Sequence, residues 1–282
     1  MAIVGNQLWT GGKDGLTIID RSSRAIAEPE DLPQFSRVWA LLKDHQDSVW
    51  VGHDGGLALF ENGRWLNLDE DTEAPLRRVF SLLELRDARL LAGGEIGVAE
   101  YSNGRWRLLE IPAELQLPSF DTLFEDDNSV LWFGSNHPNQ GGLISYDGIR
   151  WQGYAVPGHI PHPSVNAITE SRDGALWIAT GFANRGGAAR FFEGTWTSMS
   201  TRDGLAGEKV RSIFEDAVGN LWFGSEYDGM AVLAPNGTWN YLRPEQGLSG
   251  REIKIALEDE DGYWLGTDGG LTLILKETLA KR

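Results

Sequence analysis

One five-residue phrase is written seven times along this chain: LWTGG at 8–12, VWVGH at 49–53, LLAGG at 90–94, LWFGS at 131–135, LWIAT at 176–180, LWFGS at 221–225 and YWLGT at 263–267. Its second position is Trp9, Trp50, Leu91, Trp132, Trp177, Trp222 and Trp264, so the successive spacings are 41, 41, 41, 45, 45 and 42 residues. Self-similarity at this period is the signature of a repeat architecture, in which each unit is too small to bury its own apolar face and must stack on its neighbours.

Within one period the residues alternate between short apolar runs and turn formers. Residues 79–109 give an apolar run Val79–Leu83, a polar turn Arg86–Arg89, a run Leu90–Ala92, a glycine turn Gly93–Gly97, a run Val98–Tyr101, a turn Ser102–Gly104 and a last run Trp106–Leu109. Runs of four to six residues divided by glycine, asparagine and aspartate predict antiparallel hairpins, hence a four-stranded meander per period. The last turn recurs as Asn62-Gly63, Asn103-Gly104, Asp147-Gly148, Glu193-Gly194 and Asn236-Gly237, each followed within three residues by Trp65, Trp106, Trp151, Trp196 or Trp239. Seven such sheets leave few exposed edges when they are arranged radially. The predicted fold is therefore all-β, a seven-bladed β-propeller of four-stranded antiparallel blades, with residues 1–282 forming one domain. The tryptophans read as core packing wedged between blades.

The strings LWFGS, LWIAT and YWLGT, with GGL at Gly55–Leu57, Gly141–Leu143 and Gly269–Leu271 and an acidic turn such as Phe214-Glu215-Asp216, resemble the two-component regulator propeller repeat. The resemblance covers nearly the whole chain. It implies an extracytoplasmic sensor region of bacterial receptors, of the kind found in hybrid histidine kinases. No Trp-Asp dipeptide of the WD40 type is present, and the period is shorter than the roughly 50 residues of kelch blades.

The two ends depart from the repeat. Only Ala2–Val4 is available as a first innermost strand, and Lys276–Arg282 lacks an NGRW-like hairpin, so the seventh blade is expected to lack a full outer strand. Either the tail, a neighbouring segment or a longer polypeptide would then complete the ring.

Internal repeats allow columns to be compared inside one sequence. The innermost strands begin with Val38, Val79, Phe120, Val165, Val210 and Ile253, a uniformly apolar and therefore structural column. The next column is Trp39, Phe80, Asp121, Asn166, Arg211 and Lys254, where chemistry varies as it does at a site that packing does not fix. Arg37, Arg77, Arg78, Lys209 and Arg251 lie close by in the loops. The expected ligand site is thus the central-channel face, built from Trp39, Phe80, Asp121, Asn166, Arg211 and Lys254 with Arg37 and Arg78. Basic and aromatic groups there would favour a glycan or an anionic small molecule through charge-assisted bonds and ring stacking.

The opposite turns concentrate acids, among them Asp44, Glu84, Asp126, Glu170, Asp216 and Glu258. None shows the spaced ligand pattern of a calcium loop, so turn formation and solubility are the expected roles. The net charge of −16 (25 Lys+Arg against 41 Asp+Glu) argues against a nucleic-acid partner, which requires a basic stripe. With no cysteine, thiol catalysis and cysteine-bound zinc are excluded. No run of eighteen apolar residues is present and the first ten residues lack signal-peptide grammar, so neither membrane insertion nor an export signal is expected of the chain as it stands. Nothing calls for a cofactor.

Five histidines (His45, His53, His137, His159 and His162) leave a catalytic alternative open, because propeller lyases similar to virginiamycin B lyase use a histidine with a metal on such a face. No spacing among these five fixes a metal or a base, and serine-nucleophile and phosphate-loop signatures are missing. The sequence therefore favours a non-catalytic ligand-sensing propeller, with a protein-interaction scaffold and, last, a lyase as alternatives.

Overall fold

In a computed structural model that describes residues 1–29, 31–66 and 75–279, the chain forms seven antiparallel sheets in sequence order, each strand paired with its chain neighbour. The innermost strand of each, strand a, is Ala2–Val4, Val38–Lys43, Val79–Glu84, Thr122–Glu125, Val165–Glu170, Val210–Glu215 or Ile253–Glu258. Strands b, c and d follow outward, and strand b carries the repeated phrase. Six sheets have four strands and the seventh has three, ending at Gly270–Leu275 and followed by a short helix, Lys276–Leu279. The molecule is a seven-bladed β-propeller. The end of the expected tail, 280–282, lies outside the described residues. The described residues cluster into two compact units, 1–123 (blades 1–3 and the start of blade 4) and 124–282 (the rest).

The sharpest hairpins are those that the sequence marks most strongly. Asn62-Gly63, Asn103-Gly104 and Glu193-Gly194 have positive φ at both positions (50° and 79°, 52° and 77°, 49° and 76°), the two-residue turn whose twist matches paired strands. The first column of strand a is buried throughout: Val38, Val79, Phe120, Val165, Val210 and Ile253 are all at most 4% exposed.

The acidic turns between strands a and b hold the blades together. Asp44, Asp126, Asp216 and Asp259 each accept a hydrogen bond from the indole of their own blade's anchor tryptophan: Trp50 (2.8 Å), Trp132 (2.9 Å), Trp222 (2.8 Å) and Trp264 (2.7 Å). The other carboxylate oxygen of Asp44, Asp126 and Asp216 accepts turn amides two and four residues on. Blade 5 substitutes Ser171, whose hydroxyl oxygen accepts from Trp177 at 2.9 Å. Blade 3 gives up both partners together: Leu85 and Leu91 are buried (3% and 0% exposed) where blades 2, 4, 6 and 7 place an acid and a tryptophan. A buried indole needs an acceptor and a buried carboxylate needs donors, so replacing the two at once by leucine leaves neither unpaired.

A second row of acids ties blades 3, 5, 6 and 7 to the blade before. Glu84, Glu170, Glu215 and Glu258 end their a strands and accept from the turn amides of His45 (3.0 Å), Asp127 (2.7 Å), Arg172 (2.7 Å) and Ala217 (2.6 Å) in the preceding blades. The glycine of the repeated phrase serves the same junction. A Cβ on Gly52 would come within 2.8 Å of the Val79 carbonyl, and one on Gly224 within 2.6 Å of the Ile253 carbonyl, both in the next blade. Facing Gly93 and Gly224 across the sheet, Ser81 and Ser212 donate to the next blade's carbonyls, Phe120 (2.8 Å) and Ile253 (3.0 Å).

Blade 7 shows how three strands suffice. In blades 2, 3 and 5 the d-strand tryptophan packs on the anchor of the preceding blade: Trp65 on Trp9 (5.8 Å between rings), Trp106 on Trp50 (6.0 Å) and Trp196 on Trp132 (6.5 Å). Blade 7 has no d strand among the described residues, and Trp222 of blade 6 is covered instead by Tyr263, at 4.5 Å. Tyr263 occupies the phrase position that is leucine or valine in every other blade, and its hydroxyl donates to Asp216 (3.2 Å). Burial, then the charge of Asp216, hold this phenol above its ordinary pKa.

Candidate functional site

The variable column has a structural cause. In blades 2, 3, 5, 6 and 7 the register of strand a against strand b slips by one residue, and the unpaired residue is Trp39, Phe80, Asn166, Arg211 or Lys254. Val38 pairs with His53 and Ala40 with Gly52, for example, which leaves Trp39 opposite nothing. A β-bulge releases one residue from the ladder and re-aims its side chain, so its identity is not set by pairing. Asp121, the blade 4 member, lies one residue before its strand begins.

In the first unit the bulges bring aromatic groups together. Trp39, 43% exposed, meets Phe80 edge-on at 5.3 Å, and its indole donates to Asp54 at 2.8 Å. The Arg37 guanidinium lies 4.7 Å from the Trp39 ring centre. Arg78 pairs with Glu95 at 2.8 Å and approaches Asp54 at 3.8 Å. Trp39, Phe80, Arg37 and Arg78 thus form one neighbourhood, whereas Asp121 accepts from the Ser119 hydroxyl at 2.5 Å. The Trp39 ring is fixed by a hydrogen bond and an edge contact while nearly half of its surface stays open, a preorganised stacking platform.

The second unit gathers polar groups. Arg211 donates to Asn166 Oδ1 (3.1 Å) and pairs through Nε with Glu252 (2.7 Å), which also lies 3.4 Å from Lys254 Nζ. The Asn166 amide nitrogen donates to the carbonyls of Gly181 (3.1 Å) and Val210 (2.8 Å). The bond to Val210 stands in for the serine of blades 3 and 6: blade 5 pairs Ala167 with Ala179 where its neighbour pairs Ser212 with Gly224. Asn166 is therefore engaged in joining blades. Lys209, 8% exposed, forms an ion pair with Glu226 and lies 5.4 Å from the exposed ring of Phe182.

Arg78 and Lys209, two of the cations expected to attract an anion, are matched by acids that sequence reasoning passed over. Asp54, Glu95, Glu226 and Asp268 all stand four residues after their anchors, at the start of the b–c loop. Three of them face Arg78 or Lys209, and Asp268 accepts from the amides of Arg251 (2.8 Å) and Glu252 (3.0 Å). Reading that column as the a-strand column was read would have exposed the pattern.

The histidines serve their own loops. The Nδ1 atoms of His53, His137, His159 and His162 accept from the backbone amides of Gly55 (3.0 Å), Gln140 (3.1 Å), Ala155 (2.9 Å) and Ser164 (3.0 Å). Burial, then Arg185 and Lys209, hold His162 below its ordinary pKa. His45 sits in an a–b turn against Glu84, whose hydrogen bond raises its pKa. Among the described residues, no three His, Asp or Glu side chains are grouped so as to hold a metal ion.

Beside the second-unit cluster is a cleft of about 230 Å³ between blades 5 and 6, lined by residues of the 183–184 and 225–228 loops and of the 201–209 connection. No described helix is long and apolar enough to cross a membrane.

Comparison with known proteins gives a consistent picture of the fold. The two component regulator propeller family matches residues 159–182 and 204–227, the b-strand regions of blade 5 and of blade 6 with their preceding loops. No match is found among curated protein sequences. Among solved structures, PorZ, a surface component of the type-IX secretion system of Porphyromonas gingivalis, aligns at TM-score 0.75 and 16% identity over 97% of this chain and 46% of its own. Virginiamycin B lyase from Staphylococcus aureus aligns at TM-score 0.72 and 17% identity over 97% and 94%. The extracellular domain of BT4673 from B. thetaiotaomicron, described as a one component system, aligns at TM-score 0.53 and 18% identity over 100% and 46%. The chain thus spans under half the length of PorZ and of the BT4673 domain. This chain is a seven-bladed β-propeller, two segments of which match the two component regulator propeller family.

Proposed function

We propose that this propeller is a non-catalytic ligand-recognition module of the sensory, extracytoplasmic type, with the bulge residues of the inner strands as the recognition positions within each unit. The observation that carries this reading is the bulge column itself. Five blades keep the same slip in register and a buried valine or isoleucine before it, while the released side chain changes from Trp39 and Phe80 to Asn166, Arg211 and Lys254. A position whose geometry is repeated but whose chemistry is not is available for recognition, Asn166 excepted, because its amide joins its blade to the next. The extracellular domains of BT4673 and of BT3049, described as a hybrid two component system, share the fold and support the extracytoplasmic assignment.

Of the two ligand classes expected, the pairing of Arg78, Arg211, Lys254 and Lys209 with acids favours the glycan over the anion, since each cation already has a counter-charge within its own unit. Exposed pairs such as Arg78–Glu95 contribute only about 0–1 kcal/mol, so they orient side chains more than they secure the fold. A glycan panel should raise the melting temperature, and the combined Trp39→Ala and Arg211→Ala variant should abolish the rise while remaining folded. A flat response of the wild type across glycans and small acids would remove the reading and leave the protein-scaffold alternative, for which stoichiometric capture of one protein partner is the positive result. The lyase alternative predicts metal-dependent turnover that His159→Ala or His162→Ala abolishes.

A further inference from the structure

Resting on the reading of this propeller as a ligand-recognition module, we propose that the cleft between blades 5 and 6 binds one neutral sugar ring, with Tyr227 as the stacking face and Glu208, Asp228 and Asn184 as hydroxyl partners. None of these four side chains belongs to the bulge column. The cleft volume of about 230 Å³ falls below the roughly 300–1,000 Å³ of sites for drug-sized ligands, which sets the occupant at a single ring.

The lining matches hydroxyl chemistry. A sugar hydroxyl both donates and accepts, so it is served by carboxylate acceptors beside groups that can do either. Glu208 and Asp228 supply the acceptors, Glu208 taking the Thr201 hydroxyl at 2.5 Å and Asp228 the Ser225 hydroxyl at 3.4 Å through one oxygen each, and Asn184 lines the same cleft. Lys209, the cation of the lining, is already matched by Glu226, so nothing there rewards a carboxylate or phosphate ligand. Tyr227 is 47% exposed, which leaves ring surface to cover.

Gly207 keeps the cleft open. A Cβ there would stand 2.4 Å from both Asp228 Oδ2 and Ser225 Oγ, so any larger residue would push Asp228 out of place. Gly207 lacks the positive φ that would strain a substituent, and Tyr227 is a surface ring, so Gly207→Ala and Tyr227→Ala should both fold.

The test is thermal unfolding of the whole chain with glucose, galactose, mannose, N-acetylglucosamine, glucuronate and glucosamine. At least one neutral sugar is expected to raise the melting temperature, glucuronate to have no effect, and the rise to fall at least fivefold in Tyr227→Ala and Gly207→Ala while Trp39→Ala keeps it. A rise lost in Trp39→Ala and kept in Tyr227→Ala would overturn the cleft assignment and leave the broader reading standing. A response to glucosamine alone, or to glucuronate, would overturn the neutral-sugar assignment. If no sugar of the panel shifts the wild type, the cleft proposal falls; the broader reading falls with it only if the longer glycans and small acids also fail.

Discussion

The two ends of an inner strand are built on different principles. At the a–b turn the same chemistry recurs in several blades: an acid under an indole in blades 2, 4, 6 and 7, and a glutamate reaching back to the preceding turn in blades 3, 5, 6 and 7, as in Asp216–Trp222 and Glu258–Ala217. At the other end only the backbone recurs, and the released side chain is Trp39 in one blade and Lys254 in another. Where a side chain meets an obligatory partner, repetition is enforced by the cost of orphaning a buried donor or charge. Where the ladder lets go of a residue, no such cost applies, except at Asn166, whose amide is bonded to the Val210 carbonyl of the next blade.

This contrast can be broken at its strongest point by Asp216→Ala. It strips acceptors from Trp222, Tyr263 and Asn220 and from two turn amides, and should cost about 3–5 kcal/mol, since each buried donor left alone costs about 1–3 kcal/mol. Urea unfolding should show a lowered midpoint with an unchanged slope. Next in size is Gly224→Ala, which drives a methyl into the Ile253 carbonyl of the next blade and should cost about 1–3 kcal/mol by the same measurement.

Blade 3 suggests a sharper test of the acid–indole pair. If Leu85 and Leu91 are a coherent replacement, then Asp44→Leu with Trp50→Leu should cost less than the two single changes added together, by about 1–2 kcal/mol of coupling. Additive costs would mean that the pair is not the unit of substitution. Ser171→Ala, which orphans the Trp177 indole, should cost about 1 kcal/mol.

The smallest effect is read from pH. Burial opposes ionisation of Asp216, but hydrogen bonds from Asn220 and Trp222 and from turn amides outweigh it and hold the carboxyl below its ordinary value of 3.8. A depressed carboxyl contributes stability above the unfolded value and loses it as pH falls through the folded one. Stability should therefore fall below about pH 4, and Asp216→Asn should flatten that fall.

Much of this was legible in the sequence. The seven phrases fixed the number of blades, the two-residue Asn-Gly turns marked their hairpins, and the apolar first column was buried as read, from Val38 to Ile253. Ala2–Val4 does form a first strand, and blade 7 does stop at three among the described residues. What the sequence concealed was pairing across blades. Glu170 looks like one more solubilising acid, because its partner, the Asp127 amide, is 43 residues away. Asn166 looked like a ligand contact, and its bond to Val210, in the next blade, is equally remote in sequence. The bulges are not marked in the sequence either, since the pair beside the slip is serine and glycine in blades 3 and 6 but alanine and glycine, two alanines, or isoleucine and glycine in blades 2, 5 and 7.

Substitutions along the single strand Ile253–Glu258 test the division most directly. Urea unfolding of Ile253→Ala, Lys254→Ala and Glu258→Ala should give marked losses for the first and last, which fill the core and hold the Ala217 amide, and a change within about 0.5 kcal/mol for Lys254→Ala between them. A loss at Lys254 as large as that at Glu258 would show that the bulge residue is needed for the fold, and would contradict the account.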